Sequence, residues 1–270
     1  MTKIIQISDP HIVPKGQLAY ERVNTLDALS ACVETINRSL PHIGPVDMAI
    51  VTGDLTDFGT AEEYQIFRDT MEPLLIPYRA IPGNHDDVRE MRTGFSDQQW
   101  MPPFGPINWT ADLADMALVG LDTNVAGKAH GHVTDETLDY LRDTLISLNK
   151  KPVIVAIHHP PIITGIEKMD IQNLRESRKF RTLLSDYQGE LKLVCGHIHR
   201  NIVTNFGGVI CQIAPGTSHA VTLDMRNNVP NCLTKEPGAF LMHEMRDRIL
   251  THSIPVGNFD GPHMFYPDKS

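Results

Sequence analysis

Short apolar runs alternate with longer amphipathic segments along most of the chain. The runs of strand length are KIIQIS (3–8), VDMAIVT (46–52), YRAIP (78–82), DMALVGLD (115–122), PVIVAIH (152–158) and LKLVCGH (191–197). Segments with apolar residues at the helical period separate them, at 24–40, 60–74, 135–148 and near 174–187. This alternation predicts strands and helices packed in layers, which is an α/β fold.

The C-terminal part of the chain is strand-like. NIVTNFGGVICQIAP predicts a hairpin around Gly207 and Gly208, and GAFLMHEM and RILTHSIPV predict a further strand pair. Between them, residues 218–237 show little periodicity and are rich in Asn, Pro and Thr. We interpret this segment as an excursion that forms a cap or an oligomer contact. Internal repeats are absent, so we expect one domain spanning residues 1–270.

Polar clusters follow five of the predicted strands at their carboxyl ends. The clusters are SDPH (Asp9, His11), GDLTD (Asp54), GNHDD (Asn84, His85), HHPP (His158, His159) and GHIH (His197, His199). Each cluster alone is typical of a turn. Ligands of open α/β sheets bind beyond the carboxyl ends of the strands, so we expect the five clusters to converge on one site.

The donors in these clusters form two predicted metal-ligand sets that share one carboxylate. The first set is Asp9, His11, His199 and Asp54, and the second is Asn84, His158, His197 and Asp54. A shared carboxylate suits two cations about 3.5–4 Å apart, the separation used in two-metal hydrolysis. Imidazole, carboxylate and amide donors favour two divalent ions of Fe, Mn, Zn or Co over Ca or Mg, and the lack of thiolates argues against structural zinc.

The ordered motifs DxH, GDxxD, GNHD, HHPP and GHxH resemble those of the calcineurin-like metallophosphoesterase superfamily, from Asp9 to at least His219. GNHDD, HHPPI and PGTSH together are similar to the class III cyclic nucleotide phosphodiesterases, and within them to the bacterial binuclear glycerophosphodiesterases. The resemblance implies a four-layer α/β/β/α sandwich and the two ligand sets given above. It also implies that the excursion is a small cap used for oligomerisation.

The resemblance implies roles for residues beyond the metal ligands. His85 would protonate the leaving alcohol, with Asp86 hydrogen-bonded to it as its orienting partner. Asn84, His85 and His219 would contact the substrate.

Three positions near the motifs need separate treatment. Asp57 stands where related purple acid phosphatases carry a tyrosine, so we expect exchangeable divalent metal. We expect Arg200 to be solvated, and we expect His159 to point to the opposite face of its strand from His158.

The predicted reaction is hydrolysis of small phosphodiesters, either glycerophosphodiesters or 3′,5′-cyclic nucleotides, by attack of metal-bound hydroxide on phosphorus. A phosphomonoesterase or a nuclease on the same metals is the alternative, and a non-catalytic scaffold is a third reading. A monoester dianion would favour additional Arg or Lys near the site. A scaffold would be expected to lack ligands, and none is missing.

Charge and cysteine usage narrow the possible partners. The net charge of −9 argues against a nucleic acid polymer or an anionic membrane as partner, so a small phosphodiester must be attracted by local positive charge such as metal. The four cysteines form no CxxC pair, and the N-terminus lacks the pattern of a signal peptide. We therefore expect a cytoplasmic protein, and from the excursion we expect a homo-oligomer.

Overall fold

The computed structural model describes residues 1–266 and contains thirteen strands and six helices in that part of the chain. The strands are β1 (Lys3–Ile7), β2 (Met48–Thr52), β3 (Tyr78–Ile81), β4 (Trp109–Asp112), β5 (Ala117–Gly120), β6 (Val153–Ala156), β7 (Leu191–Cys195), β8 (Ile202–Phe206), β9 (Val209–Ile213), β10 (Ala220–Val221), β11 (Leu233–Thr234), β12 (Ala239–Met245) and β13 (Ile249–Pro255). The helices are α1 (Thr25–Ile43), α2 (Ala61–Met71), α3 (Val88–Gly94), α4 (Asp135–Leu148), α5 (Glu167–Asp170) and α6 (Arg178–Asp186).

Two large sheets contain all strands except β10 and β11. The first sheet has the order β13-β12-β1-β2-β3, in which β1, β2 and β3 are parallel and β12 and β13 antiparallel to their neighbours. The second has the order β4-β5-β6-β7-β9-β8, with parallel pairing from β5 to β9 and antiparallel strands at both edges. The predicted pairs β8–β9 and β12–β13 are confirmed.

The central strands of each sheet are buried on both faces, whereas the edge strands β8 and β13 are partly exposed. In the second sheet, Leu118 and Ile154 belong to the core shared with the first sheet, whereas their neighbours Val119 and Val155 pack in the core that contains α4 and α6. Residues of α1 and α2 pack on the first sheet in the shared core. Successive strand residues face opposite sides, so continuous apolar runs are what a sheet covered on both faces requires. The predicted four-layer α/β/β/α sandwich is confirmed.

Local capping explains where two helices begin. Thr60 caps α2 in a capping box, because its hydroxyl accepts from the Glu63 amide and the Glu63 side chain accepts from the Thr60 amide. The Asp87 carboxylate caps α3 by accepting from the amides of Arg89 and Glu90. The sequence pattern missed α3 and β4, which span seven and four residues and are too short to show a period.

The segment 218–237 lies outside the two large sheets and contains the antiparallel pair β10–β11. Arg200 anchors this segment, because its guanidinium donates to the Val221 carbonyl at 2.8 Å and to the Glu236 carboxylate at 2.7 Å. The expectation of a solvated Arg200 is therefore wrong, since the segment offers two acceptors. Within residues 1–266, no helix combines the length and apolarity needed to cross a bilayer.

Candidate metal centre

The ends of β1, β2 and β3 in one sheet meet the ends of β6 and β7 in the other, and the structure brings the seven predicted ligands together there. In the first set, the donor atoms of Asp9, His11, Asp54 and His199 all lie within 4.8 Å of one another. His11 Nε2 is 3.1 Å from His199 Nε2 and 3.4 Å from Asp54 Oδ2, and His199 Nε2 is 3.5 Å from Asp9 Oδ1. All four side chains are buried.

The second set lies against the first and shares Asp54 with it. His158 Nε2 is 3.2 Å from Asn84 Oδ1 and 3.3 Å from Asp54 Oδ2, and the His197 ring centroid is 5.1 Å from that of His158. Asp54 Oδ2 thus lies between His11 and His158, one histidine from each set. Its other oxygen, Oδ1, accepts from the His85 amide at 2.9 Å. Asp54 is therefore the residue that would be shared by two cations held by the two sets.

The backbone at the site is held in an unfavourable conformation. Five of the seven predicted ligands have φ in the left-handed region: Asp9 (54°), His11 (47°), Asp54 (49°), His197 (76°) and His199 (52°). A non-glycine residue there costs roughly 1–2 kcal/mol, and such residues cluster at functional sites. The backbone strain therefore coincides with the residues predicted to hold metal.

Two motif glycines allow the strand ends to approach this closely. Gly53 has φ +93°, and a Cβ on it would collide with the His158 ring. A Cβ on Gly83 would collide with the Asp54 carboxylate and its amide. The glycines in GDLTD and GNHDD therefore set the spacing between Asp54 and the other ligands.

Burial and the neighbouring charges shift the pKa values of the predicted metal ligands in different directions. Burial together with Asp54 raises the pKa of Asp9 to about 6, against the lowering effect of His158. Burial also opposes ionisation of Asp54, but His158, His85 and His11 outweigh it and hold its pKa well below the usual value. Burial would lower the pKa of His158, yet the two carboxylates raise it to about 9. Burial and His158 lower the pKa of His197 to about 3, which keeps that ring neutral.

The residues present fit a dimetal site. The buried imidazole nitrogen His197 Nε2 lacks a hydrogen-bond partner among residues 1–266. The Asp57 carboxylate accepts from His11 Nδ1 at 2.9 Å, which leaves His11 Nε2 free as a ligand. A carboxylate on the far nitrogen is a frequent partner of metal-binding histidines.

The partner predicted for His85 is wrong. His85 Nδ1 donates to the Asp57 backbone carbonyl at 2.9 Å and lies 3.5 Å from the Asp57 carboxylate, so Asp57 takes the place predicted for Asp86. A carbonyl only accepts, so Nδ1 carries a proton and Nε2 is the nitrogen left for substrate. Asp57 lies three residues after Asp54 in GDLTD, and this short spacing is the feature of the sequence that places Asp57 near the site.

The Asp86 carboxylate turns inward and holds the turn together. It accepts from the amides of Gly83 at 2.8 Å and Leu55 at 3.1 Å, and from the Tyr64 hydroxyl at 3.0 Å. Buried amides at a chain reversal need acceptors, and the Asp86 carboxylate accepts from two of them. Asp86 therefore fixes GNHDD against the loop that carries Asp54.

His159 does not point away from the site as expected. Its ring centroid is 4.8 Å from that of His158 and 5.0 Å from that of His197, and its Nδ1 contacts the Thr123 hydroxyl at 2.8 Å. The expected alternation fails because β6 ends at Ala156, before the two histidines. His159 therefore packs behind the second ligand set.

A cavity of about 230 Å³ opens above the two ligand sets. Its lining residues are His11, Tyr20, Asp54, Asn84, His85, Met169, Gln172, His197, His199, His219, Val221, Asn231, Cys232 and Leu233. The His219 ring lies 4.6 Å from that of His199, at the edge of this cavity. Tyr20, which no motif indicated, reaches the site from the segment 16–24, and its hydroxyl is 3.3 Å from His11 Nδ1.

Comparison with known proteins assigns the family. The calcineurin-like phosphoesterase family model matches residues 2–201. The chain belongs to the calcineurin-like phosphoesterases. It is similar to a probable glycerophosphodiester phosphodiesterase GpdQ of Arcobacter nitrofigilis, at 36% identity over 98% of this chain and 97% of that protein.

Two further likenesses agree with this family. A 3′,5′-cyclic adenosine monophosphate phosphodiesterase CpdA of Pseudomonas aeruginosa is 29% identical over 82% of this chain and 80% of its own length. Among solved structures, a dimetal phosphatase from Danio rerio aligns with a TM-score of 0.67 over 95% of this chain and 99% of that one. Its sequence identity is 12%, so this likeness concerns the fold alone.

Proposed function

We propose that this phosphoesterase is a two-metal hydrolase of small phosphodiesters. The observation that carries the proposal is Asp54 Oδ2, which lies 3.4 Å from His11 Nε2 and 3.3 Å from His158 Nε2. The proposed ligands are Asp9, His11, Asp54, Asn84, His158, His197 and His199. Two divalent cations held there would supply positive charge to the phosphoryl oxygens and acidify a water molecule.

His85 is the proposed proton donor to the leaving alcohol. It lines the cavity with its side chain one-third exposed, at 34%. The Asp57 carbonyl holds the ring by Nδ1, so Nε2 is the atom from which a proton passes to the leaving oxygen. Asn84 and His219 border the same space and are proposed to contact the substrate.

The charge of the cavity lining supports a diester substrate over a monoester. Among the described residues, no lysine or arginine lines the cavity. The nearest motif arginine, Arg200, is engaged by Glu236. A diester carries one negative charge and a monoester up to two, so a site without basic side chains suits the diester better. The net charge of −9 disfavours a nucleic acid substrate.

Within the diesters, we favour glycerophosphodiesters. The cavity offers the carboxamides of Gln172 and Asn231, which suit hydroxyl groups, and the GpdQ relative matches nearly the whole chain. Cyclic nucleotides are the second candidate, which the CpdA relative supports. Apart from histidines, Tyr20 is the aromatic ring lining the cavity in residues 1–266, so stacking of a base has little support.

We also propose that residues 1–270 form a single domain in which 218–237 is a cap over the site. Val221, Asn231, Cys232 and Leu233 of this segment border the cavity, which supports a substrate wall. Homo-oligomerisation through the cap and a cytoplasmic location belong to the same proposal. The buried thiols of Cys32, Cys195 and Cys211 fit a reducing compartment.

A kinetic comparison of four substrates tests the proposal. Purified protein of known metal content is assayed with glycerophosphocholine, glycerophosphoethanolamine, cyclic AMP and a simple monoester. We expect the highest kcat/KM for a glycerophosphodiester. A monoester preferred by orders of magnitude would overturn the proposal, and preference for cyclic AMP would move it to the second candidate.

A further inference from the structure

A continuous row of polar side chains, all buried except the partly exposed Thr251, crosses between the two sheets beneath the metal centre. Its members in order are Lys192, Thr251, His243, Gln6, Thr52 and Ser8, and it ends on the Asp9 carboxylate. Gln6, Ser8, Thr52 and His243 are fully buried, and Lys192 is 6% exposed. Neither the motifs nor the proposed reaction accounts for this row.

Between Lys192 and Gln6, the direction of each hydrogen bond follows from the orientation of the Gln6 amide. Gln6 Nε2 lies 3.0 Å from the Cys195 carbonyl, which only accepts, so the amide orientation is determined. Gln6 Oε1 must then accept from His243 Nε2–H at 3.1 Å. Burial and Lys192 lower the pKa of His243, so the ring is neutral and its Nδ1 accepts from the Thr251 hydroxyl at 2.8 Å. The Thr251 oxygen in turn accepts from the Lys192 ammonium.

Between Gln6 and Asp9, the hydrogen bonds have the same donor-to-acceptor direction. Gln6 Nε2 donates to the Thr52 hydroxyl at 3.0 Å. The Thr52 hydroxyl lies 2.7 Å from Ser8 Oγ and 3.3 Å from the Ile7 carbonyl, so its shorter bond is the one to Ser8. Ser8 then donates to Asp9 Oδ2 at 2.6 Å. Six hydrogen bonds therefore point one way, from an ammonium to a carboxylate, and bonds in such a series polarise one another.

The row determines which Asp9 oxygen is available. Ser8 occupies Oδ2, whereas Oδ1 faces His199 Nε2 at 3.5 Å and accepts from the His197 amide. In the described part of the chain, Lys192 has no carboxylate within ion-pair distance, and its two hydrogen-bond partners, Thr251 and Gln212, are neutral. Its ammonium therefore donates to the row at Thr251 without a competing ion pair.

We propose that this relay, defined as Lys192, Thr251, His243, Gln6, Thr52 and Ser8, positions Asp9 for its cation, and that Lys192 is a remote positioning residue of the metal centre. The inference rests on the proposed function, because it takes Asp9 as a metal ligand. It assigns a role in metal binding to residues that touch neither metal nor substrate.

Metal titration of relay variants tests the inference. The two binding steps are measured by calorimetry with Mn²⁺ and with Co²⁺, whose d–d absorption reports the ligand set. We expect Ser8→Ala to weaken the Asp9 site about 10–100-fold, as loss of an outer hydrogen bond to a ligand does. Lys192→Met and Thr251→Val should weaken the same site by at least about threefold, leaving the other site within about twofold.

Three controls separate a relay from a merely structural network. Ser8→Thr keeps the hydroxyl and should retain wild-type affinity. Gln212→Leu removes the other partner of Lys192 at 2.7 Å but leaves all six bonds, so it should not change either affinity. The double variant Ser8→Ala with Lys192→Met should bind no more weakly than Ser8→Ala alone, because both break one path.

The possible failures are distinguishable. If the wild type binds two cations tightly and Lys192→Met and Thr251→Val leave both affinities unchanged, this inference is overturned and the proposed function is not. Additive effects in the double variant, or equal weakening of both sites together with a lower Tm, would also overturn it. A wild-type protein that binds no cation would overturn the proposed function and this inference with it.

Discussion

Asp57 offers the sharpest test of how the site is organised, because one residue hydrogen-bonds both a proposed metal ligand and the proposed proton donor. Its carboxylate accepts from His11 Nδ1 at 2.9 Å, and its backbone carbonyl holds His85 Nδ1 at 2.9 Å. The Asp57 side chain is 5% exposed, so water does not readily replace it. Substitution of Asp57 removes the carboxylate and leaves the carbonyl in place.

The expected magnitude follows from the type of hydrogen bond lost. A hydrogen bond to a charged group contributes about 1.5–3 kcal/mol and a neutral one about 0.5–1.5 kcal/mol. Asp57→Ala removes the charged acceptor of His11 Nδ1–H and leaves only the longer contact to the Tyr20 hydroxyl at 3.3 Å, so we expect metal affinity at the His11 site to fall about 10–100-fold. Asp57→Asn keeps an amide oxygen and loses about 1 kcal/mol, which corresponds to roughly a fivefold decrease.

Calorimetric titration with Mn²⁺ measures both affinities, and thermal unfolding without metal gives the stability. Asp86→Asn is the matched comparison, because that carboxylate holds the turn through Gly83 and Leu55. We expect Asp86→Asn to lower the Tm of the metal-free protein more than Asp57→Asn does. Wild-type metal affinity in Asp57→Ala would refute the role assigned to Asp57.

Four further outcomes are expected. His85→Ala should lower turnover about 10²–10⁴-fold with both metals still bound, and full activity on a substrate with a poor leaving group would exclude it as proton donor. Asn84→Ala should raise the metal concentration needed for activity, because it removes one donor 3.2 Å from His158 Nε2, and an unchanged requirement would contradict its role as ligand. Burial lowers the pKa of Lys192 to about 8 from 10.5 in the unfolded chain, so the unfolded state binds more protons between these values and stability rises with pH across that window. The unfolding free energy of the wild type should therefore gain up to about 3 kcal/mol relative to Lys192→Met between pH 7 and pH 10.5, and a constant difference in denaturant titrations would refute this. Thr60→Ala should destabilise the protein by about 0.5–2 kcal/mol in urea unfolding through loss of the α2 cap, whereas no change in midpoint would show that the cap is dispensable.

The periodic parts of the fold were predictable because their signals are local. The hydrophobic runs predicted β1, β6 and β7 to within two residues at their ends, and the bounds of α4 matched the structure. The sequence did not indicate β4, which pairs with β5 at a sheet edge. Its sequence, WTAD, has no continuous apolar run, so pairing with β5 decides its conformation.

The motifs at strand ends by themselves determined which residues are candidates for the site. Side chains at the carboxyl ends of neighbouring parallel strands lie near one another, which groups Asp9 with Asp54 and Asn84 in one sheet and His158 with His197 in the other. Only the packing of the two sheets brings these groups together. The hydrogen bonds between those residues and their surroundings depend on distances that spacing along the chain does not contain.

Only the tertiary structure decided which side chains orient the site. Asp86 is adjacent to His85 in sequence, yet its carboxylate turns toward buried amides, and Asp57 from the preceding loop holds the His85 ring. The relay from Lys192 to Asp9 joins residues from both sheets, which have no sequence pattern in common. A buried polar group bonds to whichever partner the packing brings within about 3 Å, and packing is a property of the whole fold.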